Sequence, residues 1–298
     1  MNKLFVGLLG LTLLVSTACS EAQSDIKGEK GGKKEGGKKG GKKGSSPMNP
    51  IAGLTKIGTM PSEVPESSGL ARGPEAGTFY THGDHGNTPT LYLVRQNGEL
   101  VRRVEIPGIQ QEDWESLAQD NQGRLYIGDC GNNSNSRQDL TIYRLDPNNP
   151  SKVSPIRFSY PDQKEFPPAK NDRNFDVEAS LWRDGTLYLF TRNRARGRDC
   201  KIYTLQADGP AKQTAKLLGQ LTLPGEVTDA NLSPDGKHLA LLGREQLYIC
   251  DVNGTNFTQA KAKTVELPGA GQTEGVVFTD DQTLVISTEQ GVLYQYKL

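Results

Sequence analysis

Cysteine and histidine are scarce in this sequence, which contains four cysteines and three histidines among 298 residues. One cysteine, Cys19, lies close to the N-terminus, and the others are Cys130, Cys200 and Cys250. Their spacings match no zinc motif, and an odd number leaves at least one thiol unpaired. We therefore expect three small buried side chains and neither a structural zinc site nor a disulfide framework.

Long apolar runs and an excess of basic residues are also missing from most of the chain. Beyond the first twenty residues no segment is long and apolar enough to span a bilayer. The first 44 residues hold nine of the basic and four of the acidic residues, which leaves 26 Lys and Arg against 31 Asp and Glu, a net charge of −5. This balance disfavours nucleic-acid binding, which needs a basic surface, and permits a cation site.

Motifs of covalent and nucleotide chemistry are absent as well. The sequence has no nucleophile elbow, Walker loop, dinucleotide fingerprint or zincin helix. Covalent catalysis by serine or cysteine therefore has no support, and no helix is predicted beyond the first twenty residues.

The N-terminal residues have the pattern of a secretory signal. Lys3 precedes the apolar run FVGLLGLTLLV, and STAC follows it. A cysteine after small residues resembles the lipobox of bacterial lipoproteins, which implies that Cys19 is lipidated and that residues 1–19 form the signal peptide. Plain secretion is the alternative. We expect a protein held by its lipid in the bacterial cell envelope, at the outer membrane or cell surface.

Residues 20–47 are predicted to form a disordered tether. Lys27 to Ser46 contains eight lysines, two glutamates and no apolar residue, so it cannot bury a core. The lysines either contact anionic lipid or cell-wall polymer, or form a solvated stalk. Residues 48–298 are long enough for one well-buried domain.

A pattern of strands repeats five times along this domain. Each repeat begins with an acidic residue and continues as strand, Asp/Gly/Pro-rich turn and strand, followed by further strands. The acidic residues are 49, 63, 51 and 45 positions apart. Periods near 45 with four strands per unit predict a five-bladed β-propeller. The alternative is six blades, with one hidden in the polar insertion DQKEFPPAKNDRN.

The last repeat lacks its fourth strand because the sequence ends at Leu298. The segment IAGLTKIGTMP, at residues 51–61, resembles the fourth strands of the other repeats. We therefore predict that this N-terminal strand completes the last blade and closes the ring.

The beginnings of the first strands carry one carboxylate per repeat. In a propeller these strands line the axis, so the carboxylates would face one another and repel unless a cation binds them. Ca²⁺ accepts six to eight oxygen ligands with flexible geometry. The alternatives are that several of them are protonated or pair with nearby arginines, or that they only accept hydrogen bonds between blades. The predicted ring consists of Glu66, Glu115, Glu178, Asp229 and Glu274.

The ends of the second strands return to the same face and form a second register. We expect Asp84, His85 or Asp129 to act as a base on water, and Arg192 and Arg194 to hold an anionic group. The alternative for HGDHGN is an ordinary tight turn with its histidines on the surface. Trp114 and Trp182 are expected to pack between blades. The register is Asp84, Cys130, Arg192, Arg244 and Glu289, and its polar neighbours include His82, His85, Asn87, Asp129, Asn132, Asn193 and Arg194.

Several stretches together resemble a known group of proteins. PESSGLA, HGDHGN, DWESLAQD, LYIGDCGNN, LTIYRLDP and LYLFTRNR are similar to a group of exported bacterial β-propeller proteins, which implies the fold and export but no particular activity. More distantly, Trp114-Glu115 with LYIG resembles the calcium-activated nucleotidases, five-bladed propellers with axial Ca²⁺. His85 stands where that family has an arginine in its acidic turn. The gluconolactonase and regucalcin family is also similar.

Two functions fit these observations. The first is a metal-dependent hydrolase of an anionic phosphoester or lactone. The second is a monomeric, non-enzymatic surface module that binds glycan or protein, in which the cation is purely structural. Propellers host both kinds of function, so the fold does not decide between them.

Overall fold

A computed structural model describes residues 51–195, 197 and 199–298 of the chain. The predictions for the signal peptide, for Cys19 and for the tether lie outside the described residues. Among the described residues, no helix is long and apolar enough to cross a membrane.

The described part of the chain contains 21 strands and two single-turn 3₁₀ helices, Lys170–Asp172 and Phe257–Gln259. The first strand and the strands of blades 1 and 2 are β1 (Leu54–Thr59), β2 (Ala71–Arg72), β3 (Thr78–His82), β4 (Thr90–Arg95), β5 (Leu100–Glu105), β6 (Trp114–Gln119), β7 (Leu125–Asp129), β8 (Thr141–Leu145) and β9 (Val153–Ser159). Those that follow are β10 (Val177–Arg183), β11 (Thr186–Thr191), β12 (Asp199–Gln206), β13 (Lys212–Thr214), β14 (Lys216–Thr222), β15 (Asp229–Leu232), β16 (His238–Gly243), β17 (Gln246–Asp251), β18 (Lys261–Glu266), β19 (Thr273–Asp280), β20 (Thr283–Thr288) and β21 (Val292–Lys297).

These strands form five sheets arranged as a five-bladed β-propeller, which confirms the predicted fold, and the four strands of each blade are antiparallel. Blades 1 and 2 are β2–β5 and β6–β9, blade 3 is β10, β11, β12 and β14, and blade 4 is β15–β18. Blade 5 consists of β19–β21 with β1 as its outer strand. The polar insertion at residues 162–174 adds no sixth blade.

Strand β1 closes the ring, as its sequence predicts. It pairs with β21 in antiparallel register from Leu54↔Tyr296 to Thr59↔Val292. The N–H of Met60 also donates to the carbonyl of Gly291 at 2.7 Å. Closure pairs an edge of β21 that would otherwise be open to another chain.

The core is divided among the five interfaces between neighbouring blades, so each blade depends on its two neighbours. One cluster lies between blades 2 and 3 and includes Tyr126, Tyr160 and Tyr203, and four others complete the ring. The second strands are almost entirely buried because blades pack on both of their faces, as in TLYLF of β11. Trp114 is fully buried between blades 1 and 2, as expected.

One detail of the fold confirms an expectation from the sequence, and a second was not expected. Cys130, Cys200 and Cys250 are buried, unpaired thiols, as predicted. Strand β13, however, leaves blade 3 and joins the outer edge of blade 2, parallel to β9. The short segment KQT carries no sequence signal that distinguishes this pairing from an ordinary loop.

Candidate functional site

One end of the axis is formed by the beginnings of the first strands and the ends of the second strands. We call it the carboxylate face. Three glutamates on this face occupy the same position, since Glu115, Glu178 and Glu274 each lie at a β-bulge where the strand register shifts. A bulge adds an unpaired residue and redirects its side chain. All three glutamates are buried, and burial, with a further contribution from the charge of Glu178, raises the pKa of Glu115 and Glu274.

The other two members of the predicted ring, Glu66 and Asp229, are displaced from this position, so the predicted carboxylate ring was wrong in blades 1 and 4. The register of β2 with β3 places Ser68 in blade 1 at the position that Glu115 occupies in blade 2. The Ser68 Oγ donates to Glu115 Oε2 at 3.3 Å. Glu66 lies two residues earlier and is exposed. The physical reason is that its backbone, with φ of 33°, is still in the turn before the strand.

Asp229 lies one residue beyond the shared position and serves the backbone. It pairs with Leu242, and its carboxylate accepts the N–H groups of Ala230 at 2.8 Å and Val276 at 2.7 Å. Val276 belongs to blade 5, so Asp229 joins two blades. Its role is the interblade acceptor that was the alternative interpretation of the ring.

A compact cluster of three carboxylates lies between blades 1 and 2 on the carboxylate face. Asp84, Asp113 and Glu115 each offer an oxygen, and these oxygens lie within 4.8 Å of one another. Asp113 is 8% exposed, yet its Oδ1 accepts no hydrogen bond among the described residues. Burial raises the pKa of Asp84, raises that of Asp113 to about 6, and raises that of Glu115 well above its usual value. Among the described residues no arginine or lysine forms an ion pair with the cluster, and its basic contact is His85.

The surrounding chain holds these carboxylates in place. Gly131 passes so close that an added Cβ would lie 2.3 Å from Asp113 Oδ2, so the loop requires glycine here. Asp129 accepts the N–H of Asp113 at 3.0 Å and a hydrogen bond from Arg137 Nη2 at 2.9 Å. Asp129, predicted as a catalytic base, therefore positions Asp113.

The turn HGDHGN supplies Asp84 and presents His85. Gln111 Nε2 donates to the carbonyls of Gly83 and Asp84, at 2.8 and 2.6 Å, and Asn87 Nδ2 donates to the Asp84 carbonyl at 2.9 Å. The exposed His85 has its Nδ1 3.7 Å from Asp113 Oδ1. His85 is thus the one predicted base that reaches solvent beside the cluster.

His82 and Asn132 are buried and contribute to the framework. The His82 ring packs edge-on against Trp114 at 5.6 Å, and burial lowers the pKa of His82, so the ring is neutral. Asn132 Nδ2 donates to the carbonyl of Phe175 at 3.0 Å, which joins blade 2 to the start of blade 3. Neither side chain lies on the solvent side of the site.

Arg192 and Arg194, predicted to bind an anion, are bound to carboxylates of the protein. Arg192 Nη1 donates to Glu178 Oε2 at 2.9 Å, and its Nε contacts Glu226. Arg194 bridges Glu178 and Asp176. Both oxygens of Glu178 are therefore paired with arginine, whereas no arginine in the described part of the chain pairs with Asp84, Asp113 or Glu115.

The remaining predicted residues are spread around the same rim. Asp84, Cys130, Arg192, Arg244 and Glu289 each lie one or two residues beyond the end of a second strand, on the carboxylate face. Arg244 is exposed and forms no ion pair among the described residues. With Asn193, it lines a cavity of about 480 Å³ between blades 3 and 4. The sequence missed Asp113, although it stands two residues before Glu115.

The opposite end of the axis opens into a larger cavity of about 650 Å³. Sequence reasoning did not identify it. The first strands of the five blades contribute one residue each at a common level, namely Ala71, Ala118, Leu181, Asn231 and Val277.

Together the fold and the site define a class of protein, a five-bladed β-propeller with a buried acidic cluster at one end of its axis. No protein-family model matches the chain, and no curated protein is significantly similar in sequence. The propeller is similar to solved structures of distant sequence. They include a catalytically inactive virginiamycin B lyase from Staphylococcus aureus with quinupristin, at 13% identity and TM-score 0.40.

Two further structures are hydrazine synthase from Kuenenia stuttgartiensis, at 12% identity and TM-score 0.41, and PQQ-bound aldose sugar dehydrogenase from Streptomyces coelicolor, at 12% and 0.49. The alignments cover 78%, 80% and 83% of this chain in the same order. The chain spans 66% of the lyase and 59% of the synthase, and 97% of the dehydrogenase. Likeness at this level assigns no activity.

Proposed function

We propose that the propeller binds a hard divalent cation, Ca²⁺, through Asp84, Asp113 and Glu115, and that this site acts on an anionic phosphoester or lactone. The observation that carries the proposal is the buried Oδ1 of Asp113, which has no hydrogen-bond partner among the described residues and faces two other carboxylates. A buried carboxylate keeps its negative charge when a cation is bound beside it. Three carboxylates also match the oxygen ligands that Ca²⁺ prefers.

The chain's own residues supply the remaining roles in this proposal. A bound calcium ion would polarise a phosphoryl or carbonyl oxygen of the substrate. His85, exposed and 3.7 Å from Asp113, is placed to accept a proton from water at the edge of the cluster. Arg244, rather than the engaged Arg192 and Arg194, is the arginine on this rim that is available to an anion.

Export and anchoring complete the proposal. A signal peptide over residues 1–19, lipid on Cys19 and a lysine-rich tether would hold a monomeric propeller at the bacterial cell envelope, next to a membrane. The signal peptide, the lipidation and the tether are inferred from the sequence.

A turnover assay tests the hydrolase. Bis(p-nitrophenyl) phosphate, ATP and glucono-δ-lactone would be offered with Ca²⁺ and with EGTA. We expect turnover that needs Ca²⁺ and falls by about 10²–10⁴-fold in His85→Gln, the usual contribution of a general base. His238→Gln is the matched control because His238 begins β16, and so lies at the other end of the propeller, where it contacts Asp251.

A second candidate is a calcium-dependent binding module, favoured by the engagement of Arg192 and Arg194 with the protein's own carboxylates. Turnover that is absent with all three substrates, in a protein that binds Ca²⁺, would reject the hydrolase in favour of this module. Turnover unchanged by EGTA would reject the role of the cation in hydrolysis.

A further inference from the structure

The 650 Å³ cavity lies at the end of the axis opposite the carboxylate face, and its floor is small and mostly apolar. Ala71, Ala118, Leu181 and Val277 are buried there, and the two alanines have side chains of a single methyl group. Short side chains at this level leave the axis open, and the volume lies in the range of small-molecule sites. Trp182, which is partly exposed, adds an aromatic surface to the wall.

Two amide side chains lining this cavity are held in fixed orientations by the backbone. Asn231 Oδ1 accepts the N–H of Phe278 at 3.0 Å, so the atom left without a partner among the described residues is the donor Nδ2. Gln119 Nε2 donates to the carbonyl of Arg72 at 2.9 Å, so the atom left is the acceptor Oε1. The cavity therefore presents one directed donor and one directed acceptor.

The charged groups around the cavity are largely occupied by the protein itself. Asp120 receives Arg124 Nε at 2.6 Å and the Tyr126 hydroxyl at 3.2 Å. Arg183 Nη1 donates to the carbonyl of Gly254 at 2.7 Å. The exception is Arg72, which is exposed and forms no ion pair among the described residues. The site consequently favours a ligand that offers hydroxyl groups over a multiply charged one.

We propose that this cavity binds a saccharide of one or two rings. A sugar hydroxyl both donates and accepts, which matches Asn231 Nδ2 and Gln119 Oε1. The C–H faces of a sugar ring pack on methyl groups and on the indole of Trp182. Arg72 adds a positive charge at the mouth that would favour an acidic sugar. The site is separate from the cation cluster and does not depend on it.

Intrinsic fluorescence of the full chain tests this inference, because the chain has only two tryptophans and Trp114 is fully buried. D-glucose, cellobiose and D-glucuronate would be titrated in the presence of EGTA, so that the cation site plays no part. We expect a saturable change for at least one sugar, and its loss in Trp182→Phe. Tighter binding of glucuronate than glucose, equalised by Arg72→Gln, would identify the acidic sugar.

Asn231→Asp provides a matched variant for calorimetric titration of the sugar that binds. It keeps the oxygen that accepts from Phe278 N–H but loses the Nδ2 donor, so we expect the fold to persist and the affinity to fall about tenfold, the effect of 1.4 kcal/mol. The melting temperature checks the fold. Absence of saturable binding by all three sugars up to tens of millimolar, or unchanged affinity in a folded Asn231→Asp, would overturn the inference.

Discussion

A protein that begins at residue 61 is expected to lose cooperative unfolding, whereas one that begins at residue 51 is expected to keep it. The shorter form lacks β1, and with it the ladder from Leu54↔Tyr296 to Thr59↔Val292. It also lacks Ile57 and Met60, which pack in the cluster between blades 5 and 1. Because each blade is stabilised by both neighbours, an incomplete blade 5 weakens two of the five interfaces.

Urea denaturation followed by tryptophan fluorescence and by circular dichroism measures this loss. We expect coincident sigmoidal transitions for residues 51–298, and non-coincident, shallow ones with self-association for residues 61–298, because the edge of β21 is exposed. A synthetic peptide of residues 49–62 should restore the transition when it is added to the shorter protein. Identical curves for the two proteins would show that β1 does not close the ring.

Arg194→Leu is expected to lower the free energy of unfolding by about 3–5 kcal/mol, the usual cost of removing one partner from a buried ion pair. Arg194 contacts Asp176 and Glu178, whose side chains are 0% and 2% exposed. Without the guanidinium group both carboxylates lose a charge partner in a buried site. Arg192 would remain as the other partner of Glu178.

The matched control is Arg95→Leu, which removes an arginine from surface pairs. Arg95 lies 3.9 Å from Glu75 and 3.5 Å from Glu99, and all three side chains are exposed. Pairs of this kind contribute about 0–1 kcal/mol. Equal losses in urea denaturation of the two variants would contradict a structural role for Arg194 and would return it to the set of residues available to a ligand.

The second-strand register could be predicted from the sequence, but the first-strand register could not. Strands such as LYIG and TLYLF are continuous apolar runs, so counting from their aromatic residue places Asp84, Cys130 and Arg192 at one level. The first strands contain bulges, where one residue leaves the ladder. A bulge has no sequence signature here, so the spacing of the carboxylates alone misplaced Glu66 and Asp229.

The partners of the charged side chains were also beyond the sequence. Arg192 and Arg194 both contact Glu178 of blade 3, and Glu226, which lies between β14 and β15, contacts Arg192. Their spacing alone equally fits arginines that point to solvent. The floor of the cavity at the other end is formed by alanine, leucine and valine together with Asn231, and in a sequence such apolar residues are indistinguishable from core residues.

Calcium binding by the acidic cluster is tested most directly by metal analysis and thermal unfolding of residues 46–298, with Ca²⁺ and with EGTA. We predict a single bound calcium ion and a stabilisation of about 2.7 kcal/mol at a hundred times the dissociation constant. Both should be lost in Glu115→Gln and retained in Glu66→Gln, since Glu66 lies outside the cluster. No bound metal and no shift in the wild-type protein, or equal losses in the two variants, would contradict the proposed site.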